Sequence, residues 1–159
     1  MKKLIIDGHN LVPKIAGLHL ADEDDEIHLI ELLQEYCRLA RRQAELFFDG
    51  SPEPRASNRK NGLVHVHYIK LGYSADDAII RYVRNLGSEK NNFTVVSSDH
   101  RIQNAVLALG CKVMGSDSFS RLISTTLSSE VAVQQRREKP PSSGEIDEWL
   151  SLFDQDKNS

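Results

Sequence analysis

The feature that most constrains the fold is a short, mostly apolar run that leads into an aspartate and occurs three times along the chain. Residues 3–6 lead to Asp7, residues 45–48 lead to Asp49, and residues 93–96 lead to Asp99. Apolar residues at helical spacing lie between these runs, and strands that alternate with helices pair in parallel through right-handed crossovers. The sequence therefore predicts an α/β fold with a mainly parallel sheet of about five strands, covered by helices on both faces.

The remaining elements follow from the same patterns. We expect strands at 3–6, 45–48, 63–69, 93–96 and 111–114, and helices at 27–40, 75–86, 101–109 and 119–127. The acidic run 22–26 stands at the start of the first helix, where carboxylates favour the helix dipole. The segment 51–62 is polar, basic and rich in turn-forming residues, so a loop is predicted there.

The composition changes after residue 127. We expect one domain at 1–127 and a polar, flexible tail at 128–159, with a disordered linker at 134–144 that contains Pro140-Pro141 and Ser142-Ser143. A short apolar segment follows at 146–153, inside acidic surroundings. This segment either packs back on the domain or docks on a protein partner as a short helix. The sequence leaves both interpretations open and does not indicate an oligomeric state.

Composition argues against several classes of protein. The apolar runs are far shorter than the roughly 20 residues of a membrane span, and Met1-Lys2-Lys3 does not open a secretion signal. We therefore expect a cytoplasmic protein without a membrane partner. Cys37 and Cys111 have no paired spacing and are predicted to be small buried hydrophobes. The net charge of −3 does not indicate a nucleic-acid binder, although a negative sum can hide a locally basic face.

Acidic side chains gather at one edge of the predicted sheet, outside the carboxyl ends of its strands, where α/β proteins bind ligands. Carboxylates held close together repel one another unless a cation neutralises them. Oxygen ligands without cysteine or paired histidine select Mg²⁺ or Mn²⁺ over zinc, and such ions can activate a water at a scissile phosphate. We expect Asp7, Asp76 and Asp99 to be catalytic and to bind the metal, and we include Asp117 as a further candidate ligand.

Each aspartate also has a purely structural alternative, since an aspartate after a strand is often a turn former or a helix N-cap. Asp49-Gly50 could be an ordinary turn. Asp77 is expected to point away from Asp76 and to cap or support the helix. Asp117 is most simply explained as the N-cap of the last helix.

Several polar residues beside these aspartates are expected to support the site. Asn10 could orient Asp7 or bind a phosphate oxygen, and Ser98 could bind a ligand water or a phosphate. His9 and His100 are interpreted as polar loop residues. His65 and His67 share one face of a strand, but no third ligand stands at a suitable spacing, so no zinc site is expected.

Four segments, in this order and spacing, resemble a known family: LIIDGHNL, FFDG, GYSADDAIIRYV and VVSSDHRIQNAVLALGCKVM. Together they resemble the NYN domains of the PIN-like nuclease superfamily, and most of all the YacP-like group. The resemblance runs from Lys3 to about Leu127 and leaves the tail outside. It implies a three-layer α/β/α sandwich and Mg²⁺- or Mn²⁺-dependent endonuclease activity on RNA. Some relatives act on messenger RNA associated with ribosomes, so the ribosome or translation machinery is a candidate partner.

The resemblance also assigns residues. It matches Asp7 and Asn10 to the first motif, Asp76 to the helix motif, and Asp99 with Ser98 to the motif after the fourth strand, while Asp49 matches a supporting acidic position. His9 stands where the family commonly has a tyrosine. The serine that follows the fifth strand is Ser116, behind an extra Gly115 and next to Asp117. Either Ser116 or Asp117 could complete the site.

Rival functions fit the sequence less well. It has no Gly-rich dinucleotide-binding turn and no P-loop motif, and an aspartyl-nucleophile phosphatase would need a second acid where His9 stands. The rival from another class is a non-catalytic RNA-binding module that retains a metal site. In either case, a set of basic residues would bind the phosphate backbone of the RNA. The alternative is that they form only a solvated surface. These residues are Arg55, Arg59, Lys60, Arg81, Arg84 and Arg101.

Overall fold

Strands alternate with helices along residues 2–15, 23–51 and 58–138, which the computed structural model describes. The strands are β1 (Lys3–Asp7), β2 (Gln43–Ser51), β3 (Asn58–Asn61), β4 (Val64–Lys70), β5 (Phe93–Val96) and β6 (Lys112–Met114). The helices are α1 (Gly8–Leu11), α2 (Glu23–Ala40), α3 (Ala75–Asn85), α4 (His100–Ala108) and α5 (Ser116–Glu138), with 3₁₀ turns at Val12–Lys14 and Gly87–Asn92.

The six strands form one sheet in the order β3-β4-β2-β1-β5-β6. All neighbouring pairs from β4 to β6 are parallel, so the predicted α/β class with a mainly parallel sheet is confirmed. In register, Asp7 lies opposite Phe47, and Ile6 lies opposite Val96. The carboxyl ends of β1, β2 and β5 therefore meet at one edge of the sheet.

Strand β3 corrects the predicted loop at 51–62. Its backbone pairs antiparallel with β4, with Asn61 opposite Val64 and Asn58 opposite His67. The turn between them begins at Gly62, whose φ of 59° suits a tight hairpin that ordinary residues adopt poorly. This segment is a strand because it pairs with β4. Its polar sequence has no apolar alternation, so the strand could not be predicted from the sequence.

The two faces of the sheet bury two separate apolar clusters. Alternate strand residues such as Ile6, Leu46 and Phe48 pack against α2 and the first turns of α5. The intervening ones, such as Ile5 and Phe47, pack against α3 and α4. This is the three-layer arrangement that the resemblance implied, with one helical layer on each side of the sheet.

Cys37 and Cys111 are both buried, as predicted. Burial raises the pKa of the Cys37 thiol to about 11 and also raises that of Cys111. Within residues 2–15, 23–51 and 58–138, no helix combines the length and the apolar character that crossing a membrane requires.

The chain divides into two units, residues 1–127 and residues 128–159. Helix α5 does not stop at residue 127 but continues to Glu138, so the linker predicted from residue 134 is wrong over its first five positions, 134–138. Pro140 is the first proline beyond the helix, and proline is poorly tolerated inside one. The apolar segment at 146–153 lies outside the described residues.

Candidate functional site

Asp7 ends β1 at the edge where the parallel strands finish, and it is 7% exposed. The pKa of its carboxyl group is raised from 3.8 to about 6, most strongly by burial and also by the negative charges of Asp76 and Asp49. A hydrogen bond from the backbone of Asn10 and the nearby His9 act in the opposite direction. Asp7 therefore lies among carboxylates that make its ionised form costly.

Asp76 lies in the first turn of α3, which Ser74 caps by accepting a hydrogen bond from the backbone N–H of Asp77. Burial and the charge of Asp99 raise the pKa of Asp76, while Arg101 lowers it. The guanidinium of Arg101 lies 3.6 Å from Oδ2 of Asp76 and 2.6 Å from Oδ1 of Asp77. Asp77 is exposed and is held by Arg101, in agreement with its predicted orientation away from the cluster.

Asp99 is the N-cap of α4. Its Oδ1 accepts hydrogen bonds from the backbone N–H groups of Arg101 at 2.8 Å and Ile102 at 3.4 Å. Its own N–H donates to Oγ of Ser97 at 3.1 Å. Asp99 therefore has the N-cap role that an aspartate after a strand often has. Its negative charge also raises the pKa of Asp76.

Asp49 belongs to a chain of contacts that the sequence did not reveal. Oδ1 of Asp49 lies 2.8 Å from Nδ1 of His9, and Nε2 of His9 lies 2.9 Å from Oε1 of Glu26. Oδ2 of Asp49 accepts a hydrogen bond from the N–H of Ala75 at 3.4 Å, directly before Asp76. Asp49 therefore connects β2 to the start of α3, and His9 connects both to α2.

His9 was interpreted as a polar loop residue, whereas it lies in α1, and Glu26 was expected only to favour the dipole at the start of the first long helix. The hydrogen bond with Glu26 raises the pKa of His9 most strongly, burial opposes it, and the bond with Asp49 adds to the increase. The sequence did contain one signal for this contact. His9 can pair with acidic side chains, and it stands where the family commonly has a tyrosine. Its partner Glu26, 17 positions away on another element, could not be inferred from spacing.

Three polar residues that were expected to support the site form one hydrogen-bonded group. Oδ1 of Asn10 accepts from the N–H of Ser98 at 2.9 Å and from the hydroxyl of Ser116 at 2.6 Å. The N–H of Ser116 donates to Oγ of Ser98 at 2.9 Å. This group fastens α1, which follows β1, to the end of β5 and to the start of α5.

Asp117 lies elsewhere. Helix α5 already begins at Ser116, so Asp117 is inside its first turn, two positions past the N-cap position at Gly115, and the predicted capping role is wrong. Its side chain is 59% exposed and pairs with Nζ of Lys14 at 3.4 Å. Ser116 and Asp117, the two alternatives for completing the site, therefore have different surroundings. Ser116 contacts Asn10, whereas Asp117 pairs with Lys14.

The basic residues expected to bind RNA are distributed over several elements. Arg81 and Arg101 are exposed on α3 and α4. Arg59 and Lys60 belong to β3, and Arg55 lies outside the described residues.

One group of three ligand-type side chains within the described ranges has all its ligand atoms within 4.8 Å of one another: Glu45, His65 and His67. The prediction that the histidine pair lacks a third ligand is wrong, because Glu45 of β2 lies opposite His65 of β4 in the sheet register. The oxygens of Asp7, Asp76 and Asp99 do not meet this spacing together.

A model of the YacP-like NYN domain matches residues 4–153 of this sequence. The chain belongs to the YacP-like NYN domain family. The match continues past Leu127 through the apolar segment at 146–153, so the tail that the resemblance was expected to leave out is largely included.

Two solved structures share the fold. The crystal structure of Rae1 (YacP) from Bacillus subtilis has a TM-score of 0.71 and 22% sequence identity, and the match covers 100% of this chain and 96% of that chain. A structure of a point mutant of the same protein has a TM-score of 0.68 and 22% identity, with 100% of both chains covered. No curated protein sequence matches the chain.

Membership of this family supports a nuclease-type function related to RNA. NYN nuclease-like domains use divalent metals. The donors gathered around Asp7 fit such an ion, because they are carboxylate, amide and hydroxyl oxygens, which hard cations prefer.

Proposed function

We propose that this protein is a Mg²⁺- or Mn²⁺-dependent endoribonuclease whose catalytic and metal-binding residues are Asp7, Asp76 and Asp99. The observation that carries the proposal is electrostatic. At the carboxyl edge of the sheet, burial raises the pKa of Asp7 to about 6 and also raises that of Asp76, and neighbouring carboxylates add to both increases. A divalent cation would turn this repulsion into attraction, which favours a site built for one.

A bound Mg²⁺ or Mn²⁺ would supply Lewis acidity and an activated water at the phosphodiester. The protein's own part is to hold the carboxylates in place. Asp49 accepts from the N–H of Ala75 and is itself held by His9, so it fixes the start of α3 and with it Asp76. Asp99 is held by the first N–H groups of α4.

Between the two candidates after β6, we propose that Ser116 completes the site. It is fully buried and bonded to Asn10, which lies in α1, three residues after Asp7. Asp117, in contrast, is largely exposed and paired with Lys14. A neutral hydroxyl here also adds no further negative charge to a cluster that already carries several carboxylates.

The surface beside α3 supports RNA as the substrate. Leu71 and Tyr73, in the loop before Ser74, are 68% and 73% exposed. Tyr73, Lys70 and Arg81 line a depression of about 250 Å³ next to Asp77. Exposed aromatic rings stack with unpaired bases, and lysine and arginine contact phosphates, so this surface suits a single-stranded segment.

Cleavage assays test the proposal. Purified wild type, Asp7→Asn and Asp76→Asn are incubated with structured and unstructured RNAs, with Mg²⁺, with Mn²⁺ or with a chelator. Glu31→Gln, which changes an exposed carboxylate on α2, is the control. We expect metal-dependent cleavage by wild type and control, and a loss of at least about 100-fold in each aspartate variant, as for a missing catalytic group.

The outcomes separate the two candidate functions. Wild-type cleavage by Asp7→Asn would overturn the assignment of the site. RNA binding without cleavage by the wild type, in either metal, would favour the non-catalytic RNA-binding module. The family resemblance adds a translation-linked substrate to the proposal, and co-sedimentation of the protein with ribosomes tests that part separately.

A further inference from the structure

Glu45, His65 and His67 form a second polar cluster that the proposed reaction does not use. Oε2 of Glu45 lies 3.0 Å from Nδ1 of His65 and 2.6 Å from Nε2 of His67. The three residues stand on neighbouring parallel strands, with Glu45 opposite His65 and Phe47 opposite His67. One carboxylate oxygen and two imidazole nitrogens therefore converge on one face of the sheet.

The cluster is held by its surroundings. The ring of Phe47 stacks on His67 with centroids 4.4 Å apart and an interplanar angle of 8°. Tyr82 of α3 packs with its edge toward His67 and hydrogen-bonds to Glu45. Glu45 and His67 are only 15% and 13% exposed, whereas His65 is 35% exposed. The site is thus partly enclosed, with His65 on its open side.

The three ligand atoms of the cluster lie within 4.8 Å of one another. A carboxylate between two imidazoles offers three ligand atoms to a cation.

The donor set differs from that of the aspartate site. Two histidines and one glutamate are a known three-ligand set for zinc, which leaves a fourth position for water or another ligand. Imidazole suits zinc and other late transition metals, whereas oxygen-only sites suit Mg²⁺ and Mn²⁺. Ligands about 2.1 Å from a tetrahedral zinc ion stand about 3.4 Å apart. The distances of 3.0 Å and 2.6 Å would therefore have to open by less than about 1 Å.

We propose that Glu45, His65 and His67 form a binding site for one Zn²⁺ ion that is separate from the proposed catalytic site. Such an ion would link β2 to β4 and, through Tyr82 and Glu45, reach α3. The inference goes beyond the ribonuclease proposal and does not depend on it, because it concerns other ligands, another class of metal and a readout without RNA.

Metal titrations of the full chain test this site. Co²⁺, added in place of Zn²⁺, reports four- or five-coordinate nitrogen and oxygen ligands by its visible absorption. Equilibrium dialysis gives the Zn²⁺ stoichiometry. We expect one tightly bound Zn²⁺ per chain, and a loss of affinity of more than about 100-fold in His65→Ala and in His67→Gln, since even partners of a ligand typically contribute 10- to 100-fold.

Two control variants make the test specific. His28→Ala removes an exposed histidine from α2, and Asp7→Asn alters the aspartate site. Both should keep the Zn²⁺ stoichiometry and the Co²⁺ spectrum. In the unmutated protein, Zn²⁺ should shift the imidazole nitrogen resonances of His65 and His67 and leave those of His28 unchanged, which keeps the test valid if a variant misfolds.

The proposal is overturned if the wild type binds no Zn²⁺, if the imidazole resonances of His65 and His67 do not respond, or if the Co²⁺ spectrum is lost in Asp7→Asn and kept in His65→Ala. The first two results would leave the cluster as a hydrogen-bonded Glu–His network, and the third would move the metal to the aspartates.

Discussion

The hydroxyl of Ser116 donates a hydrogen bond of 2.6 Å to Oδ1 of Asn10, although 106 positions separate the two residues in the sequence. The same amide oxygen accepts from the backbone N–H of Ser98 at 2.9 Å. One side chain of α1 thus satisfies two groups that follow β5 and β6, three residues after Asp7 at the end of β1.

Asn10→Ala should therefore destabilise the protein. The substitution leaves the buried hydroxyl of Ser116 and the N–H of Ser98 without their acceptor, and an unsatisfied buried group costs about 1–3 kcal/mol. Urea unfolding followed by circular dichroism measures the change. Asn104→Ala, an exposed asparagine of α4, is the matched control and should change the free energy of unfolding by less than about 0.5 kcal/mol. Equal stability of Asn10→Ala and wild type would contradict this role.

Asp7→Asn should make the metal-free protein more stable at neutral pH. The pKa of Asp7 is raised from 3.8 to about 6, so the folded protein holds this proton more tightly than the unfolded chain. Stability then falls as the pH rises from about 4 to about 6, by roughly 3 kcal/mol at most. Asparagine carries no charge and avoids this loss.

Unfolding curves in a chelator at several pH values check the prediction. The advantage of Asp7→Asn should be largest above pH 6 and absent below about pH 4, the two ends of the titration of Asp7. Asp117→Asn, which alters an exposed carboxylate, should show no such profile. An advantage that did not change with pH would assign the effect to packing and not to charge.

His9→Gln should cost more stability at low pH than at high pH. The hydrogen bonds with Glu26 and Asp49 raise the pKa of His9 above 6.5 in the folded protein. The stabilisation is complete below 6.5, the unfolded value, and is lost as the pH rises through the folded pKa. The difference in Tm from wild type should therefore shrink as the pH rises above 6.5. His100→Gln, at an exposed position, is the control, and a difference independent of pH would refute the ion-pair role.

Gly8→Ala should disrupt the start of α1, directly after Asp7. A Cβ atom at position 8 would lie 2.4 Å from Cε1 of Phe48 and 2.9 Å from the backbone oxygen of Phe47. Phe48 is fully buried and cannot move aside freely, so overpacking should cost about 1–3 kcal/mol. Thermal unfolding measures the loss. Gly115→Ala is the comparison, because its nearest atom, Oγ of Ser98, is 3.7 Å away, an ordinary contact.

Arg101→Ala should weaken RNA binding and lower the slope of log affinity against log salt by about 1, as for one lost phosphate contact. Arg101→Lys retains the charge and should keep the slope. The same titration on a variant with Arg55, Arg59 and Lys60 changed to alanine tests the segment around β3. An unchanged slope would remove the altered residues from the RNA path.

Much of the fold could be predicted because its strands and helices are marked by local patterns. The segments that became β5, α3 and α4 carry apolar spacing that one element can satisfy alone. Strand β3 lacks that spacing and is a strand only through its pairing with β4. The extension of α5 past residue 127 was missed because the apolar periodicity fades there while nothing before Pro140 stops a helix.

The sequence could predict those site residues whose position follows from the order and direction of the strands. Asp7 ends β1, Asp49 lies near the end of β2, and Asp99 comes three residues after β5, and position in a parallel sheet suffices to bring these strand ends together. The partners of His9 and of His65 could not be predicted, because Glu26 and Glu45 reach them across elements whose packing and register the sequence does not state.

The outer strands of the sheet also affect how copies of this protein can associate. In the described part of the chain, the two outer strands, β3 and β6, are four and three residues long. Both contain lysine, at Lys60 and Lys112. Short, charged outer strands are poor templates for added strands. We therefore expect resistance to amyloid-like stacking, and an assembly of copies would have to form through side-chain surfaces and not through a shared sheet.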